Sequence, residues 1–284
     1  MSKEIKILKQ TALQIRRDVL EMGPRSGNVC HVGPAFSCTD IVTALYFKFL
    51  RIDPKNPMWE DRDRFIISKG HGATCVYSAL ARLGYFEVEE LWKIKQMGAS
   101  LQGHPCMRKT PGIDMTSGSL GNGLSIGLGM AIGLKYKKKK SKAVVILGDG
   151  EVQEGMIWEA AMCASVLNMD NLTAIIDYNH HQSSGSVDLY MSLEPLADKW
   201  KSFGWNVLNM NGHDMNDIIS KLEISFNFAG KPTVIIAHTI KGKGVSFMEN
   251  NNEWHTKMPS AEHLETAMRE LDAEAERIER QYPF

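Results

Sequence analysis

The sequence has no excess of charge of either sign: 33 lysines and arginines stand against 33 aspartates and glutamates in 284 residues. A neutral chain offers no broad field for a polyanion, so no nucleic acid is expected as its main partner. Long apolar runs are also missing. No stretch reaches the ~18 residues that a membrane-spanning helix needs, and no membrane association is expected. The opening residues, MSKEIKILKQ, lack the apolar core of a secretory signal, so the expected location is cytoplasmic. Cysteine is sparse. Cys30, Cys38, Cys75, Cys106 and Cys163 are scattered, odd in number, and include no Cys-x-x-Cys pair. That pattern argues for reduced thiols rather than disulfides or a zinc site. There is no internal repeat and no break in composition, so one domain is expected over 1–284.

What is present is a regular alternation. Apolar residues over 5–20 recur at helical spacing and predict a first helix. Ser37, Cys38, Thr39 and Asp40 offer N-caps for a second helix over 41–50. A strand is predicted over 64–68, running into Lys69-Gly70-His71-Gly72, with a helix near 75–83. Residues 100–123 are rich in glycine, proline and threonine and predict loop. A helix over 124–137 carries Gly127, Gly129 and Gly133. Each glycine weakens a helix by about 1 kcal/mol relative to alanine, so several imply close packing against a sheet or another subunit. Then come strand 143–147, helix 155–167, strand 172–177, a long loop, helix 195–203, strand 205–209, helix 214–228 and strand 232–237. Short apolar strands alternating with helices predict an α/β fold with a doubly wound, mostly parallel sheet flanked by helices. A charged helix at about 260–280, with Ser260 as its N-cap, closes the chain. The run Lys137 to Lys140 falls at a helix C-terminus, where cations suit the dipole, and reads as a solvated turn.

The strand over 143–147 stops at Gly148-Asp149-Gly150. In doubly wound folds, ligands sit outside the C-terminal ends of the strands. Glycines there let backbone approach a ligand, and the N–H groups of the turn can cradle a phosphate. An aspartate would repel that phosphate unless a metal lies between them. Mg²⁺ takes oxygen ligands, often one carboxylate plus substrate phosphates, so a diphosphate–Mg²⁺ unit resolves the conflict. No Gly-Lys-Ser/Thr follows, so this is not a P-loop. The next strand runs into Asn179, one βαβ unit further on, and supplies a second oxygen at the neighbouring strand tip. A capping aspartate and a turn asparagine are the plain alternative.

These residues resemble a thiamine diphosphate motif, and the rest of the chain is similar to the N-terminal half of the transketolase family. The resemblance runs through His31-Val32-Gly33, the stretch from Asp61 to Gly72, Gln102-Gly103-His104-Pro105, and Thr116 to Gly123. It continues through Gly148-Asp149-Gly150-Glu151, Gln153-Glu154-Gly155, Trp158-Glu159-Ala160 and Lys241-Gly242-Lys243-Gly244. It implies that Asp149, Asn179 and the His181 carbonyl bind Mg²⁺. Gly150 and Glu151 would lie along the diphosphate, and His71 would bond to it. Gly118 and Leu120 would shape the pocket wall, and Lys241 would fall near the thiazolium. Glu154 would join a carboxylate network between subunits. His31 and His104 would face the sugar, with His71, as the proton-handling histidines. Residues 250–255 occupy the place of a further substrate histidine, for which His255 is the candidate.

A full transketolase is more than twice this length. Its second half carries the pyrimidine-binding domain and the glutamate that activates the cofactor. The resemblance therefore implies the N-terminal subunit of a split transketolase, completed by a C-terminal partner in a heterotetramer. It would move a two-carbon ketol unit from a phosphorylated or modified ketose to an aldose. Two alternatives stand beside it. One is another thiamine diphosphate enzyme, such as a 2-oxo-acid dehydrogenase component or a decarboxylase. The other is a non-catalytic partner-binding subunit.

Overall fold

Short runs of β-branched and aliphatic residues build the centre of the molecule. The computed structural model describes residues 2–283. It begins with α1 (Ser2–Ser26), α2 (Val32–Ala44), β1 (Arg64–Ile67), α3 (Thr74–Leu83) and α4 (Asn122–Tyr136). Next come β2 (Ala143–Gly148), α5 (Gly155–Val166) and β3 (Leu172–Tyr178). A small hairpin of β4 (His181–Gln182) and β5 (Gly185–Ser186), with the single turn α6 (Val187–Tyr190), occupies the long connection after β3. The chain ends with α7 (Leu196–Ser202), β6 (Asn206–Asn211), α8 (Met215–Asn227), β7 (Thr233–His238) and α9 (Ala261–Gln281).

The five long strands form one sheet in the order β1-β2-β3-β7-β6, and every pairing is parallel. Parallel strands are buried on both faces, and the alternation of side chains divides the core in two. Val144, Ile146, Ile175 and Ile235 join one apolar cluster, with residues of α1, α2, α3, α8 and α9. Val145, Leu147, Ala174, Ile176 and Ile236 join the other, with α4, α5 and α7. The glycines of α4 divide by face. A Cβ on Gly127 would stand 2.5 Å from Val145 Cγ2, so helix and sheet meet closely there. Gly129 and Gly133 have nothing within 4 Å of such a Cβ.

The strands and most helices fall within one or two residues of the sequence expectation. The second helix does not. It starts at Val32 rather than 41, with His31 at its N-cap. Apart from Asp40, every residue from Val32 to Ala44 is buried. A helix covered all round has no polar stripe to mark its start. Ser37 and Asp40 consequently lie inside the helix and serve long-range contacts instead of capping. A π-helical turn, Leu45–Phe49, follows. The cap at Ser260 does form, accepting from His263 N at 3.2 Å. The lysine run lies beyond α4 as expected, with Lys139 paired to Asp61 at 2.7 Å. Among the described residues, no helix is long and apolar enough to cross a membrane.

Candidate functional site

The parallel register sets Gly148 opposite Asp177. The residues that follow each of them, Asp149 and Asn179 among them, therefore emerge side by side at adjacent strand tips. Asp149 is buried; its Oδ1 accepts from Gly150 N at 2.8 Å, and its Oδ2 has no hydrogen-bond partner. Burial, and then the nearby Asp177 charge, push the Asp149 carboxyl up to about 7. A buried carboxylate with an orphaned oxygen is costly unless a cation completes it. Asn179 donates through Nδ2 to Asp177 Oδ2 at 3.1 Å, and its Oδ1 accepts from His181 N at 3.0 Å. Asp177 thereby sets which way the amide points.

Asp177 itself was not singled out from the sequence, where it sits at the end of an apolar strand. It accepts from the Lys69 ammonium and from the hydroxyls of Ser37 and Thr239. Lys69 also donates to Pro34 O at 2.6 Å. Burial opposes ionisation of Asp177, but the Lys69 charge and these donors outweigh it and hold the carboxyl below its ordinary range. A charged residue at the end of a buried run was the available signal, because buried charges occur paired.

Nearly all the expected site residues line one cavity of about 410 Å³ at these strand tips. They are His31, His71, His104, Gly118, Leu120, Asp149, Gly150, Glu151, Asn179, His181 and Lys241. Glu154 is not among them; it is exposed at the start of α5, and its side chain makes no cap bond. Glu151 lines the cavity, yet both carboxylate oxygens are engaged. Oε1 accepts from Ser68 Oγ and from Gly121 N at 2.8 Å, and Oε2 accepts from Gly148 N at 3.0 Å. It braces the turn from within. Lys241 is buried and donates to Asn252 Oδ1 at 2.6 Å. Burial lowers its pKa to about 8, with the charges of Asp149 and Asp177 working the other way.

Histidines dominate the rest of the lining. His31, His71 and His255 form a triangle with ring centroids 5.4, 5.6 and 5.2 Å apart. The structure thus brings the candidate His255 into the site. His31 stands at the N-cap of α2 but makes no side-chain cap bond, so its ring is not spent on the helix. Burial first, then neighbouring positive groups, lower His31 and His255 to about 4 each and push His71 well down too. His104, packed beside Gly118, is lowered for the same reasons. At neutral pH the cluster is uncharged, able to accept and donate protons.

The chemistry of the donor set fits the implied metal and diphosphate. One orphaned carboxylate oxygen and one amide oxygen face a space where Gln182 Oε1 and the Nδ1 atoms of His181 and His255 are also buried without partners. A Cβ on Gly150 would meet Gln182 Cβ at 2.8 Å, so only glycine admits this approach of the hairpin. Among the described residues, no three His, Cys, Asp or Glu side chains converge as a metal cage. An Mg²⁺ held partly by phosphate oxygens and water needs none. Pro34, Lys69, Gln182 and Ser183 also line it and were not foreseen as site residues. A larger groove, about 540 Å³, lies between α1 and α9. Its Asp40 is matched by Arg16 at 2.7 Å and His213 at 2.8 Å, and no orphaned buried atom among the described residues faces it.

The family model for the transketolase thiamine diphosphate-binding domain matches residues 11–278. A 6-deoxy-6-sulfo-D-fructose transketolase subunit from a Clostridium species is 43% identical, over 96% of this chain and 99% of that protein. An apulose-4-phosphate transketolase subunit from Phocaeicola vulgatus is 44% identical, over 88% of this chain and 89% of its own length. Among solved structures, the transketolase of Campylobacter jejuni superposes with a TM-score of 0.83 at 28% identity, over 96% of this chain and 48% of that one. The Leishmania mexicana transketolase gives a TM-score of 0.86 at 25% identity, over 98% and 44%. The chain thus spans nearly all of the subunit relatives and less than half of the two solved transketolases.

Proposed function

The chain belongs to the transketolase family, and on that premise we propose that it is the cofactor-binding subunit of a two-subunit transketolase. In this reading it moves a two-carbon ketol unit from a ketose to an aldose. The carrying observation is the orphaned Asp149 Oδ2 beside Asn179 at paired strand tips, in the same cavity as four neutral histidines. Asp149, Asn179 and the His181 carbonyl hold Mg²⁺, with Gly150 and Glu151 along the diphosphate. Gly118, Leu120 and Lys241 border the organic part of the cofactor. When bound, thiamine diphosphate supplies the nucleophilic carbon and the electron sink for breaking the sugar's C2–C3 bond.

The protein's own part is positioning and proton handling. An uncharged imidazole can accept the proton of the sugar's C3 hydroxyl as the C2–C3 bond breaks and the aldose leaves, and return it to the carbonyl oxygen of the acceptor aldose as the new C–C bond forms. His31, His71, His104 and His255 are neutral at working pH and can take this role. The cluster suits a polyol substrate, which favours ketol transfer over the decarboxylation of a simple 2-oxo acid. The names of the two subunit relatives each contain a ketose with an anionic group, a sulfonate in one and a phosphate in the other. A ketose of that class is the proposed donor.

The site is completed by a C-terminal partner subunit carrying the pyrimidine-binding domain, in a cytoplasmic heterotetramer with two copies of each. In this reading Glu154, exposed at the start of α5, meets another subunit. The test is ketol transfer from xylulose 5-phosphate to ribose 5-phosphate with thiamine diphosphate and Mg²⁺. It is run on the chain alone and on the complex captured through it. Activity in the complex alone is expected. Activity in the isolated chain would remove the need for a partner, and oxidation or decarboxylation of pyruvate would move the chain to another thiamine enzyme class.

A further inference from the structure

Lys241, the β4–β5 hairpin and the turn that carries His255 each contribute to the cavity lining. One amide outside that lining joins them. Lys241 Nζ donates to Asn252 Oδ1 at 2.6 Å, and Asn252 Nδ2 donates to Ser183 O, inside the hairpin, at 2.9 Å. Asn252 also opens the 3₁₀ turn Asn252–His255, so His255 rides on the same short element. An ammonium only donates and a carbonyl only accepts, so one orientation of the amide satisfies both. Aspartate could serve Lys241 but not the carbonyl, and alanine could serve neither.

The fold around Asn252 is held by other groups. Asn251 caps the turn, with Oδ1 accepting from Glu253 N at 3.1 Å and Nδ2 donating to Phe247 O at 3.2 Å. Trp254 anchors the turn in the core, whereas Asn252 is half-buried. The backbone of Lys241 is fixed separately, its carbonyl accepting from Asn250 N at 2.9 Å. Its stem packs on the start of α2, where a Cβ on Gly33 would stand 3.3 Å from Lys241 Cγ. What remains to be placed is the ammonium. Among the described residues no carboxylate pairs with it, and Asn252 Oδ1 is the acceptor that engages it. The hairpin needs a tie as well. It consists of the pairs His181 with Ser186 and Gln182 with Gly185, and so short a ribbon is marginal by itself.

We propose that Asn252 is a positioning residue for cofactor binding: it fixes the Lys241 ammonium and pins the hairpin to it, so that both meet one ligand already in place. This rests on the thiamine diphosphate reading given above. In that reading the hairpin serves the diphosphate end through the His181 carbonyl, and Lys241 borders the organic part. The amide bridge sets the two against each other before the ligand arrives. Without it, both groups must be ordered during binding, which weakens affinity.

The experiment uses the two-subunit enzyme, co-purified through a tag on this chain. Wild type is compared with Asn252→Ala, Asn252→Asp, Lys241→Met and the double variant Lys241→Met/Asn252→Ala. Calorimetry reads Kd for thiamine diphosphate with Mg²⁺, and hydrogen exchange of the unliganded enzyme reads the hairpin amides. Loss of a hydrogen bond to a charged group should raise Kd roughly tenfold in Asn252→Ala. The same change made on Lys241→Met should raise it by a clearly smaller factor, because residues that act through one another are not additive. Asn252→Asp keeps an acceptor for Lys241 and loses the donor to Ser183. Its hairpin should exchange as fast as that of Asn252→Ala, while its Kd rises less. The melting temperature of the unliganded enzyme should stay put. Unchanged Kd in Asn252→Ala would overturn the proposal, as would equal factors in the two backgrounds. Faster exchange along the whole chain with a lowered melting temperature would reveal a merely structural role and overturn it too. A wild type that does not bind thiamine diphosphate would instead bring down the cofactor reading, and the proposal with it.

Discussion

The Lys69 ammonium is buried against the Asp177 carboxylate, with side chains 3% and 0% exposed. Asp177 in turn accepts from Asn179 Nδ2, so the buried pair decides how the amide proposed to bind the metal is presented. Breaking a buried pair by removing one partner leaves an uncompensated charge and costs roughly 3–5 kcal/mol. Lys69→Met is therefore expected to lower stability by about that amount in urea unfolding. It should also abolish the melting-temperature shift produced by thiamine diphosphate with Mg²⁺. A loss below about 1 kcal/mol, the range of solvated pairs, would show that water reaches the pair.

The two kinds of glycine in α4 should respond in opposite directions. Gly127→Ala forces a Cβ to 2.5 Å from Val145 Cγ2. Overpacking of this sort costs about 1–3 kcal/mol. Gly133→Ala meets nothing within 4 Å, and removing a helical glycine gains up to about 1 kcal/mol. Thermal melts of the isolated chain measure both. If the two variants shift the same way, α4 does not sit on the sheet as described.

The histidine cluster carries a pH signature. His31 and His255 are lowered to about 4, chiefly by burial, from an unfolded value of 6.5. Between those values the unfolded chain binds the more protons, so stability rises with pH across the window and falls as pH drops from 6.5 toward 4. NMR titration should find both rings still neutral at pH 5.5. Replacing both with glutamine should lessen the fall in melting temperature between pH 6.5 and 5, the lowered His71 and His104 keeping part of it. Ring resonances that move near pH 6.5 would place the histidines in open water.

Asp149 and His104 should separate binding from turnover. Asp149→Ala removes the orphaned oxygen and is expected to abolish Mg²⁺-dependent binding of thiamine diphosphate, read by calorimetry. His104→Ala should leave that affinity within a few-fold, while kcat of the two-subunit enzyme falls by roughly 10²-fold or more, the contribution of a positioned acid–base group. Unchanged cofactor affinity in the first variant would withdraw Asp149 from the metal site.

Much of this site could be read along the chain because its signals are local. Glycine, aspartate and glycine at the close of the run Ala143 to Leu147 announce a ligand at a strand end, and Asn179 lies one βαβ unit on. Parallel strands buried on both faces show up as continuous apolar runs, which is why β2, β3 and β7 were plain. The start of α2 was hidden for the same physical reason: burial on every side removes the polar stripe that marks a helix.

Local order carried the elements, the strand-tip motif and the histidine-bearing loops, because backbone propensity and side-chain period act over a few residues. Contact between distant residues carried the rest. Ser37 and Lys69 meet Asp177 from 140 and 108 residues away. His255 joins His31 and His71 from the far end of the chain, and the Glu151 carboxylate, lining the same cavity, reaches Ser68 and Gly121. Asn252 gains its place between Lys241 and Ser183 only when those segments pack. Pairing, burial and the resulting proton affinities depend on which groups share a low-dielectric space, and only the folded sheet brings them together.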